Sequence, residues 1–536
     1  MGRRHRPEVL VGAFRGRGPG RARHPPWRVP RADDGHDPAR HRHDHAEGRL
    51  VNGIDIAGPQ VSVLAAAALV LLIDALIPQQ RRLLPFVAIA GLIVSALWTT
   101  SWVGRSEYQT AFDGTLALDK YSVFFYYLFA GITATVILAS IDWVNREGRG
   151  QGEYYALILT TCAGLMFLSA ARDLITIYLA LELSSIPQYI LAGWGKDNRS
   201  SEAGIKYLLL GAIASALLLY GMALIYGVTG TTMLPEIADA IQANGETNRS
   251  VLVVAMTLLI AGFGFKMAVV PFQMWVPDVY QGAPTPVAAF LSVGSKAAAF
   301  AVITRIFFES LGADFLSNDW ANIFAALAAI SMTVGNVMAV VQTDIKRMLG
   351  YSSIAQAGNF MVGLAAIAVV GQEFTLGASA ILLFLAAYAF TNLGAFVAVI
   401  AISQKIGSDQ IKDYAGLWRR SPFLTLALAF CLVSLTGIPP TAGFWAKMYI
   451  FNAGVRADLV WLVVVGVLNS VISGYYYLSV ARQMFVGDSA ESAPIKTSPS
   501  IGLSLGVATM GVLVFGIIPT PLIEAARNAA ETLATR

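Results

Sequence analysis

The stretch AGFGFKMAVVPFQMWVPDVYQGAPTPVAAFLSVGSK, residues 261–296, decides the fold of this chain. It is apolar over most of its length, yet it contains Lys266, Pro271 and Lys296. A bilayer offers the backbone no hydrogen-bond partners, so a long apolar segment of this kind is predicted to cross the membrane as a helix. Because proline removes a backbone donor, the helix is predicted to break near Pro271, where the freed groups must face protein or water.

The composition of the whole chain also indicates a membrane protein. Of the 536 residues, 56% are hydrophobic and only 13% are charged, against about 25% charged in soluble domains. This composition excludes an ordinary soluble enzyme, a disordered chain and a nucleic-acid-binding module. The two cysteines, Cys162 and Cys431, lie in apolar runs and are too few for a zinc cluster, an iron–sulfur site or a disulfide framework.

Fourteen apolar segments are long enough to span a bilayer, and they predict an all-α polytopic membrane fold. The predicted spans 1 to 14 are 58–78, 83–103, 119–141, 153–170, 172–193, 204–229, 250–275, 285–309, 320–342, 346–370, 374–403, 421–452, 458–486 and 499–519. Lysine and arginine are concentrated in one set of connecting loops, fourteen residues against six. The positive-inside rule then places both termini outside the cytoplasm.

The first 50 residues differ from all that follows. They hold 12 arginines, six acidic residues and all six histidines, without an apolar period. Such a segment cannot bury enough apolar area to fold, so we expect a disordered basic extension. The loop charges place the N-terminus outside the cytoplasm, so this positively charged extension would lie on the side where the loops carry fewer positive charges. We therefore expect residues 1–50 to be absent from the functional protein, most simply through a wrongly assigned start codon. The alternative is a genuine extension that binds a partner or anionic lipid.

Two short motifs occur twice in the chain. AGFGFKM at 261–267 matches AGFWAKM at 442–448 in five of seven positions, and SSIPQ at 184–188 is matched by SSIAQ at 352–356. Both pairs join predicted spans that are five apart. An odd number of spans inverts the second copy in the membrane, which is the architecture of secondary transporters. Span 12 is predicted to break like span 7, because Gly437, Pro439 and Pro440 precede its lysine.

Five charged residues within the predicted spans are candidates for function: Glu182, Lys206, Lys266, Lys296 and Lys447. Charges inside a membrane are costly and usually functional, with a structural ion pair as the main alternative. Lys206 is close enough to a span end to reach the interface. Burial favours the neutral form of a lysine and a nearby carboxylate favours the charged form, so Glu182 paired with Lys266 would act as a proton switch. Asp74 is assigned to helix packing.

These motifs resemble a known family. The runs LELSSIPQY, GFGFKMAVVPFQMWVPDVYQGAPTPVAAFLSVGSK, DIKRMLGYSSIAQAG and LTGIPPTAGFWAKMYIF are similar to the antiporter-like membrane subunits of complex I, the bacterial NADH–quinone oxidoreductase. The PDVYQGAPTPV stretch is more similar to the subunit N branch than to subunits L and M. The resemblance covers about 58–520. It implies fourteen helices with inverted repeats formed by spans 4–8 and 9–13.

This resemblance also implies boundaries along the chain. After the extension 1–50, residues 51–152 would hold spans 1–3, and 153–309 would form the first antiporter-like repeat. Residues 310–486 would form the second, inverted repeat, and 487–536 would hold span 14 and a C-terminal tail.

The function implied by the resemblance is proton translocation driven by quinone reduction elsewhere in the complex. The chain would be a subunit of a translocase in the bacterial inner membrane, without redox chemistry or cofactors of its own. NADH, flavin, iron–sulfur clusters and quinone would belong to partner subunits. Its partners would be neighbouring membrane subunits, lipid and protons, with no nucleic acid.

Residue by residue, the glutamate and the four lysines of the family fall on the residues found above. The family's span 5 glutamate is Glu182, and its lysines in spans 6, 7, 8 and 12 are Lys206, Lys266, Lys296 and Lys447. One position departs from the pattern, since Gln273 stands where the family usually has histidine. A proton role for that position is therefore in doubt, although glutamine can order water.

Three alternative functions share part of this pattern. One is a subunit of a multi-component cation/proton antiporter, and another is a membrane subunit of a related hydrogenase or ferredoxin-linked complex. The third is a structural membrane subunit that does not pump. The DVYQGAP motif separates the first from the favoured function, and the buried lysines argue against the third.

Overall fold

The computed structural model describes residues 53–103, 109–367, 374–487 and 493–534. The predicted basic extension, 1–50, lies outside these residues. The described part of the chain is built almost entirely from helices, as expected for a backbone that must satisfy its own hydrogen bonds in lipid.

The first half of the chain begins with long helices joined by short loops. Their bounds are α1 (Gly58–Leu76), α2 (Leu84–Thr100), α3 (Lys120–Glu147), α4 (Gln151–Ala170), α5 (Leu174–Ala192), α6 (Asn198–Thr229) and the shorter α7 (Leu234–Asn244). Aspartates cap three of them. The side chains of Asp119, Asp173 and Asp197 each accept a hydrogen bond from a backbone N–H of the first turn of α3, α5 and α6. These caps satisfy donors that the helix leaves unpaired at its start.

A small β-hairpin between α2 and α3 was not predicted. Its strands, β1 (Gln109–Ala111) and β2 (Leu116–Leu118), pair antiparallel. The turn between them contains Asp113 and Gly114, both with positive φ. That dipeptide is a common hairpin signal, but three-residue strands are too short to show an alternating pattern.

The deciding stretch forms an interrupted helix. Helix α8 (Arg249–Met267) ends where Ala268 adopts the left-handed conformation, and the chain becomes helical again in α9 (Trp275–Gly282). After α10 (Thr285–Phe290), a π-helical turn at Leu291–Ser295 leads into α11 (Lys296–Glu309). The predicted break near Pro271 is therefore present, one turn beyond Lys266.

The second half has a similar interruption. Its helices are α12 (Asp314–Val340), α13 (Ile345–Ile367), α14 (Phe374–Ile406), α15 (Leu417–Arg420), α16 (Pro422–Thr436), α17 (Ala442–Arg456), α18 (Val460–Val486), α19 (Pro499–Ile517) and α20 (Thr520–Ala534). The break between α16 and α17 begins at Gly437, whose φ of 90° suits glycine better than any residue with a Cβ.

Within the described residues, 12 helices are long and apolar enough to cross a membrane. The other two of the fourteen predicted spans fall on α13 and on the pair α16–α17. Helix α13 has 23 residues, but it carries Ser352, Ser353, Gln356 and Asn359 on an almost wholly buried surface. Helices α16 and α17 are each too short to cross alone. The count of fourteen spans and the inverted repeat stay predictions.

Two segments form the centre of the protein. The most apolar part of Thr285–Glu309 is 100% buried and that of Thr375–Ile406 is 94% buried, whereas the value for α1 is 33%. The segment that carries Lys296 is thus surrounded by other helices and never faces lipid. This position isolates its polar groups from the bilayer.

Helices α12 and α13 approach each other closely through glycine. A Cβ added at Gly335 would lie 2.5 Å from the backbone nitrogen of Ala355. We expect Gly335→Ala to destabilise the packing by about 1–3 kcal/mol, because the helices must separate to admit a methyl group. Thermal inactivation of the purified complex measures the effect. Gly502→Ala is the matched control, since nothing lies within 4 Å of its added Cβ; equal thermal stability of both variants would contradict the expectation.

Candidate functional site

Three lysines are buried without a carboxylate partner. Lys266, Lys296 and Lys447 are 6%, 1% and 6% exposed. Among the described residues, no carboxylate oxygen lies within 4.0 Å of any of their ammonium nitrogens, since the ion pairs of the structure involve other cations. Fully buried lysines are rare unless paired. Their neutral surroundings therefore set these three apart.

Lys266 lies on the last turn of α8, just before the break. Its Nζ donates a long hydrogen bond of 3.5 Å to Oε1 of Gln188, an oxygen that also accepts from the Tyr207 hydroxyl at 3.0 Å. The rings of Tyr189 and Tyr207 each have their centroid 5.6 Å from the ammonium nitrogen. Aromatic faces attract a cation without accepting its proton.

A small cavity of about 10 Å³ lies beside Lys266, with Ser184 and Ser295 in its wall. This volume is about the minimum for one water molecule. Both hydroxyl-bearing residues come from neighbouring helices, and Ser295 directly precedes Lys296 in the chain. The cavity therefore adjoins Lys266 and the residue that precedes Lys296.

Lys296 connects the two halves of the chain. Its Nζ donates to Oγ of Ser353 at 2.6 Å and also to the Ser353 carbonyl oxygen. The Tyr280 hydroxyl lies 3.4 Å from the same Oγ. Ser353 belongs to the second SSI motif, on α13. The sequence singled out this serine as part of a repeat but contained no signal that it binds a lysine.

Lys447 uses a carbonyl group that the second break sets free. Its Nζ donates to the carbonyl oxygen of Thr436, the last residue of α16, at 2.8 Å and to Oγ of Ser470 at 3.1 Å. The last carbonyls of a helix have no partner within it. The interruption of the helix thus supplies the acceptor for the buried ammonium.

Further polar side chains lie between Lys296 and Lys447. The hydroxyls of Ser352 and Tyr477 are 2.6 Å apart, and Nε2 of Gln356 donates to the Leu435 carbonyl oxygen at 3.1 Å. Asn359 in turn donates to Oε1 of Gln356 at 3.0 Å. These groups make α13 a polar helix inside an otherwise apolar core.

Glu182 is only partly buried and does not form a direct ion pair with Lys266. It accepts a hydrogen bond from Oγ of Ser215. No oxygen of Glu182 lies within 4.0 Å of Lys266 Nζ, so the predicted pairing is not a direct ion pair in this structure. The carboxylate is held by a hydroxyl instead.

Lys206 belongs to a separate cluster near the helix ends. Its Nζ donates to Oδ2 of Asp278 and Oε1 of Glu202, both at 2.6 Å, and Arg347 donates to Oδ1 of Asp278 at 2.7 Å. The Lys206 side chain is 40% exposed. A cavity of about 190 Å³ lies against Asp278 and Glu202. Sequence reasoning missed Asp278 and Arg347, although both lie within the quoted family motifs.

Two other predicted positions have clear surroundings. Gln273 lies in the break between α8 and α9, and its amide oxygen is buried without a hydrogen-bond partner among the described residues. Asp74 forms an ion pair with Arg81 at 2.7 Å, as suits a packing role. Across the described parts of the chain, no three histidine, cysteine, aspartate or glutamate side chains are grouped so that they could hold a metal ion.

Comparison with known proteins identifies the family. The family model described as "NADH:quinone oxidoreductase/Mrp antiporter, TM" matches residues 171–473. NADH-quinone oxidoreductase subunit N of Dehalococcoides mccartyi is 44% identical over 486 residues, which cover 90% of this chain and 100% of the relative. The chain belongs to the subunit N family.

A second relative and two solved structures extend the comparison. NAD(P)H-quinone oxidoreductase subunit 2 of Synechocystis is 44% identical over 89% of this chain and 91% of the relative. A chain of respiratory complex I from Thermus thermophilus superposes with a TM-score of 0.71 at 32% identity, covering 87% of this chain and 98% of that chain. The Mrp complex of Dietzia gives a TM-score of 0.78 at 20% identity, covering 89% and 97%, and shows the fold alone.

These findings confirm the resemblance read from the motifs. The chain is a multi-pass protein of the bacterial inner membrane and an antiporter-like, membrane-arm subunit of the complex I type.

The cluster around Asp278 generates a prediction about stability. Asp278→Asn removes the carboxylate that Lys206 and Arg347 share, which joins α6, α9 and α13. We expect a loss of about 1 kcal/mol, because these pairs are partly exposed and screened. Thermal inactivation of the complex measures it. Asp319→Asn, which breaks one exposed pair with Arg249, is the control and should cost less; a smaller loss for Asp278→Asn would be the contrary result.

Proposed function

We propose that this chain translocates protons as a subunit of NADH:quinone oxidoreductase, with Lys266, Lys296 and Lys447 as the central relay. Glu182 and Lys206, both in the first half of the chain, assist this relay. The driving reaction is quinone reduction in other subunits, where NADH, flavin, iron–sulfur clusters and quinone would be held. This chain itself contributes proton-carrying side chains and no redox group.

The observation that carries the proposal is the chemistry of the acceptors around the lysines. Each ammonium donates to neutral oxygens: an amide for Lys266, a hydroxyl and a carbonyl for Lys296, and again a carbonyl and a hydroxyl for Lys447. A buried lysine with a structural role needs a carboxylate to compensate its charge. Neutral acceptors tolerate the lysine with or without its extra proton, which a relay requires.

The residues between the lysines favour movement of a proton along the membrane plane. Serine and tyrosine hydroxyls both donate and accept, so they can pass a proton on. Ser353 contacts Lys296, its neighbour Ser352 contacts Tyr477 on α18, and Ser470 on the same helix contacts Lys447. Helices α13 and α18 therefore carry hydroxyl groups from the second lysine toward the third.

The choice of lysine over arginine fits the same function. An arginine stays protonated in proteins, whereas a lysine can lose its proton when it is desolvated. Each elementary charge moved through about 100 mV costs about 2.3 kcal/mol, so the path needs protonatable groups within the membrane. Three lysines of the described core are placed to serve as such groups. Lys266 and Lys447 lie beside the two helix breaks, and Lys296 begins α11.

Lys266→Ala tests the relay directly. We expect it to abolish most NADH-driven proton uptake by inverted membrane vesicles while the complex still assembles, because the first protonatable group of the path is lost. Lys405→Ala is the matched control, since Lys405 is exposed at the end of α14. Lys266→Arg, which keeps the charge but cannot release a proton, should also fail to pump. Native pumping by an assembled Lys266→Ala complex would refute the role.

Glu182→Gln tests the coupling between the carboxylate and the lysine. The substitution keeps size and removes the charge that favours protonated Lys266, so we expect slower pumping. Pumping rates of the two single variants and the double variant form a cycle. Because Glu182 acts through Lys266, its substitution should add little once Lys266 is alanine. Fully additive losses would show that the two residues act independently.

A further inference from the structure

Four charged side chains are buried together at the C-terminal end of α11. The positive-inside rule places this end of the helix on the non-cytoplasmic side of the membrane. Arg305 donates to Oδ2 of Asp119 at 3.1 Å and to Oε1 of Glu309 at 2.8 Å, and Arg172 donates to Oε2 of Glu309 at 2.7 Å. Their side chains are 0% exposed for Arg305, 1% for Asp119, 3% for Glu309 and 10% for Arg172. We name these residues the arginine–carboxylate network.

The network ties three separate segments together. Asp119 caps the start of α3, Arg172 lies between α4 and α5, and Arg305 and Glu309 belong to the last turns of α11. Arg305 also lies over the ring of Tyr121, with its guanidinium carbon 5.1 Å from the centroid. Among these four described residues, two positive and two negative side chains balance, and each takes part in at least one ion pair.

The network lies next to the cavity of Lys266. Leu165 and Leu168 of α4 line that cavity. The residue after Leu168 is Ser169, whose carbonyl oxygen accepts a hydrogen bond from Nη2 of Arg305 at 3.2 Å. Leu165 and Ser169 are four residues apart, about 6 Å along the helix axis. The network thus lies on the non-cytoplasmic side of the cavity, within about one helical turn of the α4 residues that line it.

The chemistry of the network opposes proton transfer. A guanidinium does not release its proton in proteins, so Arg305 and Arg172 cannot pass one on. Asp119 or Glu309 could accept a proton only by giving up its ion pair, which would leave an arginine charge uncompensated in the interior.

We propose that the arginine–carboxylate network is a barrier that keeps protons on the non-cytoplasmic side from returning to Lys266. This inference rests on the proposed function, because a barrier matters only where Lys266 carries protons. With this barrier in place, a proton departs from Lys266 through Lys296 and the second half of the chain. Arg305 is then a residue that gives the relay its direction without carrying a proton.

The test is the double variant Arg305→Gln with Asp119→Asn, which removes one charge of each sign and keeps the Arg172–Glu309 pair. The matched control is Arg249→Gln with Asp319→Asn, an exposed ion pair of 2.8 Å on the same side of the membrane. Both are measured as assembled complex in proteoliposomes. One assay follows passive proton entry under an imposed potassium diffusion potential without NADH, and the other follows NADH-driven acidification.

We expect a several-fold rise in passive proton leak for the network variant and none for the control. The initial rate of NADH-driven pumping should stay near the native rate, while the final pH gradient should be smaller because back-flow grows with the gradient. Lys266→Ala gives the opposite pattern, a lower initial rate without added leak. Failure of the relay and failure of the barrier are therefore separate results.

A second variant keeps the proposal testable if the double variant does not assemble. Arg305→Lys keeps the positive charge and the size of the site but introduces a group that can exchange a proton. We expect its leak to rise as well, since the barrier depends on a cation that never deprotonates. A native leak and a native final gradient in either assembled variant would overturn the proposal and leave the network with a packing role.

Discussion

An ammonium group inside a bilayer must find its oxygen acceptors within the protein, and the arrangement of this chain follows from that need. Lipid supplies none, and an intact helix has already used its own carbonyls. The break after α16 frees the Thr436 carbonyl for Lys447, and the polar face of α13 supplies Ser353 for Lys296. A helix interruption and one unusually polar helix therefore supply acceptors that buried lysines cannot obtain from lipid.

The same requirement explains why the centre of the protein is polar. A buried hydroxyl or amide is stable only when hydrogen-bonded, so each lysine needs partners that themselves have partners. Gln188 accepts from Tyr207 as well as from Lys266, and Gln356 links Asn359 to the freed carbonyl of Leu435. The resulting hydroxyl and amide groups surround the lysines with neutral acceptors. In the proposed relay, a lysine would gain or lose a proton without any rearrangement of charged partners.

In the first half of the chain, the charged side chains on the two sides of the membrane differ in their exposure. Near the side that the loop charges assign to the cytoplasm, Asp278 is shared by two partly exposed cations beside an open cavity. At the other end, Arg305 and its partners are almost completely buried. An accessible cluster at one end and a closed network at the other give the first half an electrical asymmetry. A subunit that moves protons in one direction needs such an asymmetry.

The sequence alone determined the helical membrane fold, both helix interruptions and the five charged residues within spans, because apolar length, proline, glycine and intramembrane charge act locally in the chain. It also contained the serines and glutamines of the SSI motifs, but not their roles. Tertiary structure decided the contacts: Ser353 reaches Lys296 across 57 positions, Asp278 reaches Lys206 across 72, and Asp119 reaches Arg305 across 186. Arg172 and Arg305 stand near the ends of predicted spans 5 and 8 and were not among the candidate residues. Their burial depends on which helix ends pack together, and no local pattern records that packing.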